Sequence, residues 1–552
     1  MKTLLFAATA VVALVAGPAL AQDGAQISGS TIGAHIEVLG SDAFKGRAPA
    51  TPSEAKTIGY MVEQLQAAGL KPAGDLKDGA RVWTQDVPLA RFEIRGPVSA
   101  AVKAGDETLT LRQGEEIAIR AAANGAQRVE IKDAPIVFGG YGVVAPERDW
   151  DDFKGMDLTG KIVMVLVNDP DFEAGQGDFG GKAMTYYGRW TYKYEEAARQ
   201  GALGLLVIHE SAPASYGWAT VKNSNTNEIF DIIRAEPAKA HVPLEGWVQR
   251  DVAADLLARA GLDFDTLKAQ AQTRDFKPQV LEGVSFSSAF DVDVRQIISQ
   301  NVVAEVTGAT RPQERIIYTS HWDHLGIGAP DASGDTIYNG AVDNAAGVAA
   351  VIEVARAFAK GPTPDRSVNF LLVTAEEKGL LGSEYYAASP LYPLETTVGV
   401  LNLDAPSPAG PARDFSAAGD AASDLQDMLI NEGQAQGRTF KPDPRPEAGG
   451  FFRSDHFPFV RAGVPAISFR SGQDLIEGGL AAGEAWSRAY TADKYHQPAD
   501  EYGPDWNLEG MAQDAQLLYR LGLTLATSAD WPEWKAGSEF KAARDATASA
   551  RP

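Results

Sequence analysis

The residues with the greatest chemical capacity lie in four short motifs between Ser320 and Asp404 and in a fifth far downstream. They are SHWDH (320–324), NGAVDNAAG (339–347), TAEEKGLLGS (374–383), LNLDAP (401–406) and YHQPADEY (495–502). Imidazole and carboxylate donors suit zinc. Two ions ~3.5–4 Å apart need one carboxylate that bridges them and two terminal donors each. His321, Asp343, Glu377, Asp404 and His496 make up such a set. Asp343 is the expected bridge, because it sits centrally and opens a helix whose N-terminal end favours a carboxylate. Glu376 and Glu377 are adjacent after a strand, so they point in different directions. One of the pair can ligate while the other faces the attacking water as general base. Asp323, two residues after His321, is placed to accept the other ring N–H and fix the tautomer.

Each residue alone has a plainer reading: a helix cap for Asp343, a solvated turn for Glu376-Glu377, a strand end for Asp404. His324 and His456 read as hydrogen-bonded loop residues. His35, His209 and His241 read as structural or exposed imidazoles, with no ligand partner near them in sequence. What lifts the five above these readings is their joint position. RIIYTS (315–320), SVNFLLVTA (367–375) and TVGVLNLD (397–404) are apolar strands; AAGVAAVIEVARAFAKG (345–361) and LGSEYYAAS (381–389) are helices. Strands alternating with helices predict an α/β fold, a mostly parallel central sheet flanked by helices. Ligands bind beyond the carboxyl ends of such strands, which is where His321, Glu376, Glu377 and Asp404 fall.

Upstream, PSEAKTIGYMVEQLQAAG (52–69) carries apolar residues at Ile58, Met61, Val62 and Leu65, the spacing of an amphipathic helix capped by Ser53 and ended by Gly69. From there to about residue 130 the chain alternates weakly, as several short strands. APIVFGGYGVV (134–144), GKIVMVLVND (160–169) and KYEEAARQGALGLLVIHE (193–210) then read as strand, strand and helix-turn-strand. This order resembles a protease-associated domain, a small α/β insert of secreted and membrane peptidases. The expected organisation is a leader over 1–21, a first part of the main domain over 22–130, the insert over 131–284, a second part over 285–535, and a flexible tail over 536–552.

HWDH, VDNAAG, TAEEKGLLGS, LNLD and YHQPADEY together resemble the co-catalytic di-zinc exopeptidases of the zinc aminopeptidase and glutamate carboxypeptidase family. The segment 41–74 is similar to that family's N-terminal part. The resemblance implies two zinc ions per chain, held by His321, Asp343, Glu377, Asp404 and His496. It also implies Glu376 as general base, Asp323 as the aspartate behind the first histidine, and Tyr495 as oxyanion donor. FFRSDHFPFVRAGVPAISF (451–469) matches the segment that lines the substrate pocket. The implied reaction is hydrolysis of peptide substrates, first as an aminopeptidase, with a carboxypeptidase as the alternative because Arg453 and Arg470 flank the pocket segment and could hold a carboxylate. A one-zinc glutaminyl-cyclase type or a metal-free receptor-like module would have lost ligands that are present here. Tyr186, Tyr187 and Trp190 of the insert are candidates for substrate contact.

Composition bounds the rest. The 552 residues, 45% of them hydrophobic and 22% charged, describe a chain of more than one core. A net charge of −23 offers no basic footprint for nucleic acid. The chain holds no cysteine, which excludes disulfides, thiolate metal sites and a lipidated cysteine anchor. Lys2, the apolar run Leu4 to Val15 and Ala19-Leu20-Ala21 read as a signal peptide cleaved before Gln22. The expected location is therefore periplasmic or secreted, with no membrane span.

Overall fold

The computed structural model describes residues 26–551, apart from positions 227, 329, 420 and 421. The expected leader over 1–21 lies outside the described residues. Four parallel strands form the centre of the main sheet, in the spatial order Ala466–Ser471, Thr397–Leu403, Arg311–His321 and Arg366–Val373. Thr397–Leu403 and Arg366–Val373 are buried at every position. That is the state of a parallel strand covered on both faces.

Side chains alternate across a strand, and the two apolar cores divide along that alternation. Ile316, Tyr318, Val368, Phe370 and Leu372 enter the core made with helices Pro52–Ala68, Gly347–Lys360 and Glu509–Thr527. Ile317, Leu371 and Val373 enter the opposite core, with Tyr386, Phe457 and Phe459. The sheet is thus pinned from both sides, and its strand ends share one rim. Helix Pro52–Ala68 ends as read, on Gly69 at φ 95°, but its N-cap is Thr51 and Ser53 lies inside it.

Between Gly69 and residue 130 the expected short strands occur, among them Lys71–Pro72, Glu107–Thr110 and Ile117–Ile119, but one strand is long. Thr84–Ala104 is one 21-residue strand, paired with the 28-residue strand Gln279–Val306 from Thr84↔Val302 to Ala104↔Val284. Backbone pairing along this ribbon sets the conformation more strongly than the weak alternation, which reflects a half-exposed surface. The ribbon leads into a second parallel set, Arg128–Phe138, Ile162–Leu166, Gly204–His209 and Leu244–Gln249. Its core runs from Ala90 to Val292. The expected limits at 131 and 284 accordingly fall inside the strands Arg128–Phe138 and Gln279–Val306.

The segment expected as a flexible tail is packed. Phe540 lies against Trp534 and Phe451, with ring centroids 5.4 and 6.3 Å apart. Arg544 is buried and donates to Thr397 O at 3.1 Å. One aromatic and one guanidinium, each finding a partner, outweigh the small polar composition around them.

Candidate metal centre

The expected five side chains converge at the rim. His321 closes the strand Arg311–His321, and its Nε2 lies 3.2 Å from Asp343 Oδ1 and 3.3 Å from Asp404 Oδ1. His496 Nε2 lies 3.2 Å from the other oxygen of Asp343, Oδ2, and 3.2 Å from Glu377 Oε2. Asp343 thus faces one imidazole with each oxygen. Donors ~2.0–2.1 Å from a tetrahedral zinc stand about 3.3 Å apart, and all four separations match that edge. His321, Asp343 and Asp404 offer ligand atoms within 4.8 Å of one another, and so do His324, Asp343 and Glu377.

Asp343 is held differently from the expectation. The helix proper begins at Gly347; Asp343 and Asn344 lie ahead of it in an irregular turn with non-helical dihedrals. Its placement depends on Asp500, which is fully buried and accepts Val342 N at 3.0 Å and Asp343 N at 3.1 Å. Asn344 ties the same turn to its neighbours. It donates to Ser320 Oγ and Leu403 O and accepts from Gly347 N and Ala405 N, all within 3.1 Å. Neither residue carries an obvious signal in sequence, because both act on backbone groups.

Asp323 also acts otherwise than expected. His321 Nδ1–H donates to the main-chain carbonyl of Asp323 at 3.1 Å, which fixes the tautomer, while the nearest carboxylate oxygen is 3.8 Å away. That carboxylate instead accepts the N–H groups of Glu376 (3.0 Å) and Glu377 (3.4 Å) and so holds the adjacent pair in place. Two backbone donors from a tight turn are a better match for two carboxylate oxygens than one ring N–H. Asp404 is oriented by Ser454, whose Oγ donates to Oδ2 at 2.6 Å.

Sequence reasoning also missed Arg47. Fully buried, it donates from Nε to Trp322 O, from Nη1 to Leu39 O and Asn339 O, and from Nη2 to Gly340 O, at 2.6–2.9 Å. One guanidinium therefore clamps the loops that carry His321 and Asp343. Burial lowers its pKa to about 10, against the opposing charges of Asp500, Asp323, Asp343 and Glu377.

The electrostatics are those of a crowded acidic crevice. Burial, with Asp404, Glu377 and Asp455 as neighbours, pushes Glu376 well above the usual carboxylate range against the attraction of His321. Burial works against the charge on Glu377, yet His496 and His324 hold it low. Burial likewise opposes charge on His321 and His496, and the surrounding carboxylates still raise both. A crevice whose carboxylates draw positive charge onto both imidazoles suits multivalent cations.

Tyr495 is 45% exposed, and its ring stacks on His496 at 3.9 Å. His324, read as a hydrogen-bonded loop residue, is fully buried, and its Nδ1 lies 2.7 Å from Glu377 Oε1. His456 is buried too, with burial and Arg470 lowering its pKa to about 3. His241 sits between Asp231 and Glu245 at 3.0 and 2.9 Å. The insert aromatics are used in packing: Tyr186 lies on Phe457 at 5.0 Å, Tyr187 donates to Glu147 at 2.8 Å, and Trp190 lies on Tyr194 at 5.7 Å.

Residues 301–519, which include every candidate metal ligand named above, match Peptidase family M28. The chain is 30% identical over 206 residues to leupeptin-inactivating enzyme 1 of Streptomyces exfoliatus, covering 34% of this chain and 41% of that protein. It therefore spans less than half the length of that relative. It is 25% identical over 516 residues to the probable lipoprotein aminopeptidase LpqL of Mycobacterium tuberculosis, 88% of this chain and 84% of that one. Its fold is that of the aminopeptidase from Aneurinibacillus sp. strain AM-1, with a TM-score of 0.50 at 18% identity over 92% of this chain and 96% of that chain.

Proposed function

We propose that the crevice is the active centre of a zinc-dependent aminopeptidase that works with two zinc ions and releases N-terminal residues from peptides. The observation that carries this reading is Asp343, whose two oxygens each face a different imidazole, with Asp404 and Glu377 completing the two sides. The printed names of the relatives, an enzyme that inactivates leupeptin and a probable lipoprotein aminopeptidase, support it.

His321, Asp343 and Asp404 would hold one ion, and His496, Asp343 and Glu377 the other. Zinc bound there polarises a carbonyl and lowers the pKa of water to about 7. Glu376 stands outside the four donor separations, and its raised proton affinity suits a base that takes a proton from water and passes it to the leaving amine. Asp323 keeps Glu376 and Glu377 turned apart through their backbone N–H groups. Tyr495, at the open side of His496, donates to the oxyanion that develops on the substrate. An acidic crevice in a chain of net charge −23 favours a substrate that presents a free α-amino group. The second parallel unit is of the protease-associated kind, and the leader over 1–21 exports the chain. Among the described residues no helix is long and apolar enough to cross a membrane.

One observation favours a carboxypeptidase instead. Arg453, next to Ser454, is exposed, lies over Tyr216 of the second unit at 5.6 Å, and has no carboxylate partner among the described residues. A turnover panel of N-blocked and C-blocked dipeptides, with chelator and zinc add-back, decides. Hydrolysis that tolerates only the C-block supports the aminopeptidase; hydrolysis that tolerates only the N-block supports the carboxypeptidase. Turnover indifferent to chelator rejects both.

A further inference from the structure

The chain carries 73 acidic residues against 50 basic ones, so a guanidinium without an acid beside it is conspicuous. Two such groups stand together where the second unit meets the segment 451–469. Arg189, just ahead of helix Trp190–Arg199, is 9% exposed, and its Nε has no hydrogen-bond partner. Burial, and after it Arg453, lowers its pKa to about 10; the other groups that act on it are Tyr216 and Tyr186, and no carboxylate is among them. Arg453 is exposed and lies over the ring of Tyr216 at 5.6 Å. Burial raises the pKa of Tyr216, and both guanidiniums, Arg189 before Arg453, oppose it, so the three side chains share one neighbourhood. A buried guanidinium with a free N–H and a like charge beside it is an arrangement that an anion completes.

The two arginines come from different units, and the junction that brings them together is closely fitted. Met184 N donates to Pro446 O at 3.2 Å. Gly449, at φ 65°, passes so close that a Cβ there would sit 2.5 Å from Met184 Sδ. Tyr186 lies on Phe452 and Phe457, with ring centroids 6.1 and 5.0 Å apart. On its other side Arg453 directly precedes Ser454, whose Oγ holds Asp404 of the metal crevice at 2.6 Å. Consecutive Cα atoms are ~3.8 Å apart, so Arg453 is rooted in the crevice wall. An extended peptide advances only ~3.3–3.6 Å per residue. A substrate held in the crevice by its N-terminus therefore carries its next few residues past this wall.

We propose that Arg189 and Arg453 form a carboxylate subsite, built jointly by the two units, that holds a carboxylate of the peptide being hydrolysed. The inference rests on the aminopeptidase reading above and narrows its substrates to short or acidic peptides. A guanidinium fork meets a carboxylate through two parallel N–H···O bonds, and one anion set between two guanidiniums offsets the repulsion between them. Two groups of a peptide supply that chemistry: the C-terminus of a di- or tripeptide, and the side chain of Asp or Glu. The second unit thereby contributes directly to substrate binding.

The test uses the whole chain loaded with zinc and reads kcat and KM separately for Ala-Ala-Ala, its C-terminal amide, and the amide of Ala-Glu-Ala. Wild type should prefer the free acid over its amide by roughly 10- to 100-fold in kcat/KM, the range of a charge-assisted pair, with the difference carried by KM. Arg453→Gln and Arg189→Gln should each bring that ratio to within about twofold of one. Arg453 is exposed, so its variant keeps the test in force where the buried substitution does not fold. If the two alanine peptides are equal but the amide of Ala-Glu-Ala is preferred over that of Ala-Ala-Ala, and the variants abolish that preference, the subsite stands with a side-chain carboxylate as its ligand. Equal turnover of all three peptides by wild type, or a preference that survives in either folded variant, overturns the proposal. If the zinc-loaded enzyme hydrolyses none of the three, the aminopeptidase reading itself fails, and the subsite falls with it.

Discussion

Asp500 is the residue on which the placement of Asp343, the proposed bridging carboxylate, most depends, and Asp500→Asn isolates that role. In the folded chain its carboxylate accepts two backbone N–H groups, from Val342 and Asp343, and the hydroxyl of Tyr490 at 3.2 Å. The replacement keeps the size but has one acceptor oxygen and one NH2 group. One of the two backbone donors must then face another donor. Hydrogen bonds to a charged group contribute ~1.5–3 kcal/mol each, and an orphaned buried donor costs ~1–3 kcal/mol. Because Asp500 is fully buried, solvent does not soften the loss. The expected destabilisation is about 2–4 kcal/mol, read from urea unfolding at unchanged slope. The same turn carries Asp343, so zinc affinity falls roughly 10- to 100-fold. The reasoning is refuted if the variant unfolds within about 0.5 kcal/mol of wild type and binds zinc equally well.

Two further outcomes follow from cations held by several partners. Arg47→Met removes four hydrogen bonds to backbone carbonyls and the charge that faces the crevice acids. The loss is about 3–5 kcal/mol in chemical unfolding, and Arg47→Lys restores only part because an ammonium cannot span the four acceptors; full restoration by Lys would contradict the clamp. For His241, burial opposes the charge, but Glu245 and Asp231 raise its pKa to about 9. A folded value above the unfolded ~6.5 means that its contribution is complete below pH ~6.5 and is lost as pH rises through about 9. The stability gap between wild type and His241→Gln should therefore be roughly 2–3 kcal/mol at pH 6 and shrink towards pH 10; a gap independent of pH would disprove the ion-pair account.

Part of this site was legible in the sequence because His321, Glu377 and Asp404 sit at or just past strand ends, where apolar runs stop and chemistry begins. His321 after RIIYTS and Asp404 after TVGVLNL are marked by that change alone. The strands themselves were legible for the same reason, since each buried residue of Arg366–Val373 had to be compatible with an interior covered on both faces. What could not be read was any role played through the backbone. Asp323 looks in sequence like a partner for the ring of His321, yet it holds the peptide groups of Glu376 and Glu377, and its own carbonyl fixes the ring. Asp500 and Arg47 act on main-chain atoms, which leave no residue-specific trace. Thr84–Ala104 was read as part of several short strands because its register comes from a partner about 200 residues away.

The central claim is that Glu376 is the base of a centre whose metals are held by other residues. Glu376→Gln tests it most directly, with zinc per chain and turnover of an aminoacyl nitroanilide measured on the same sample. The variant should keep two zinc ions and the wild-type fold while kcat falls by about 10²–10⁴. Turnover near the wild-type rate with both ions in place would contradict the account.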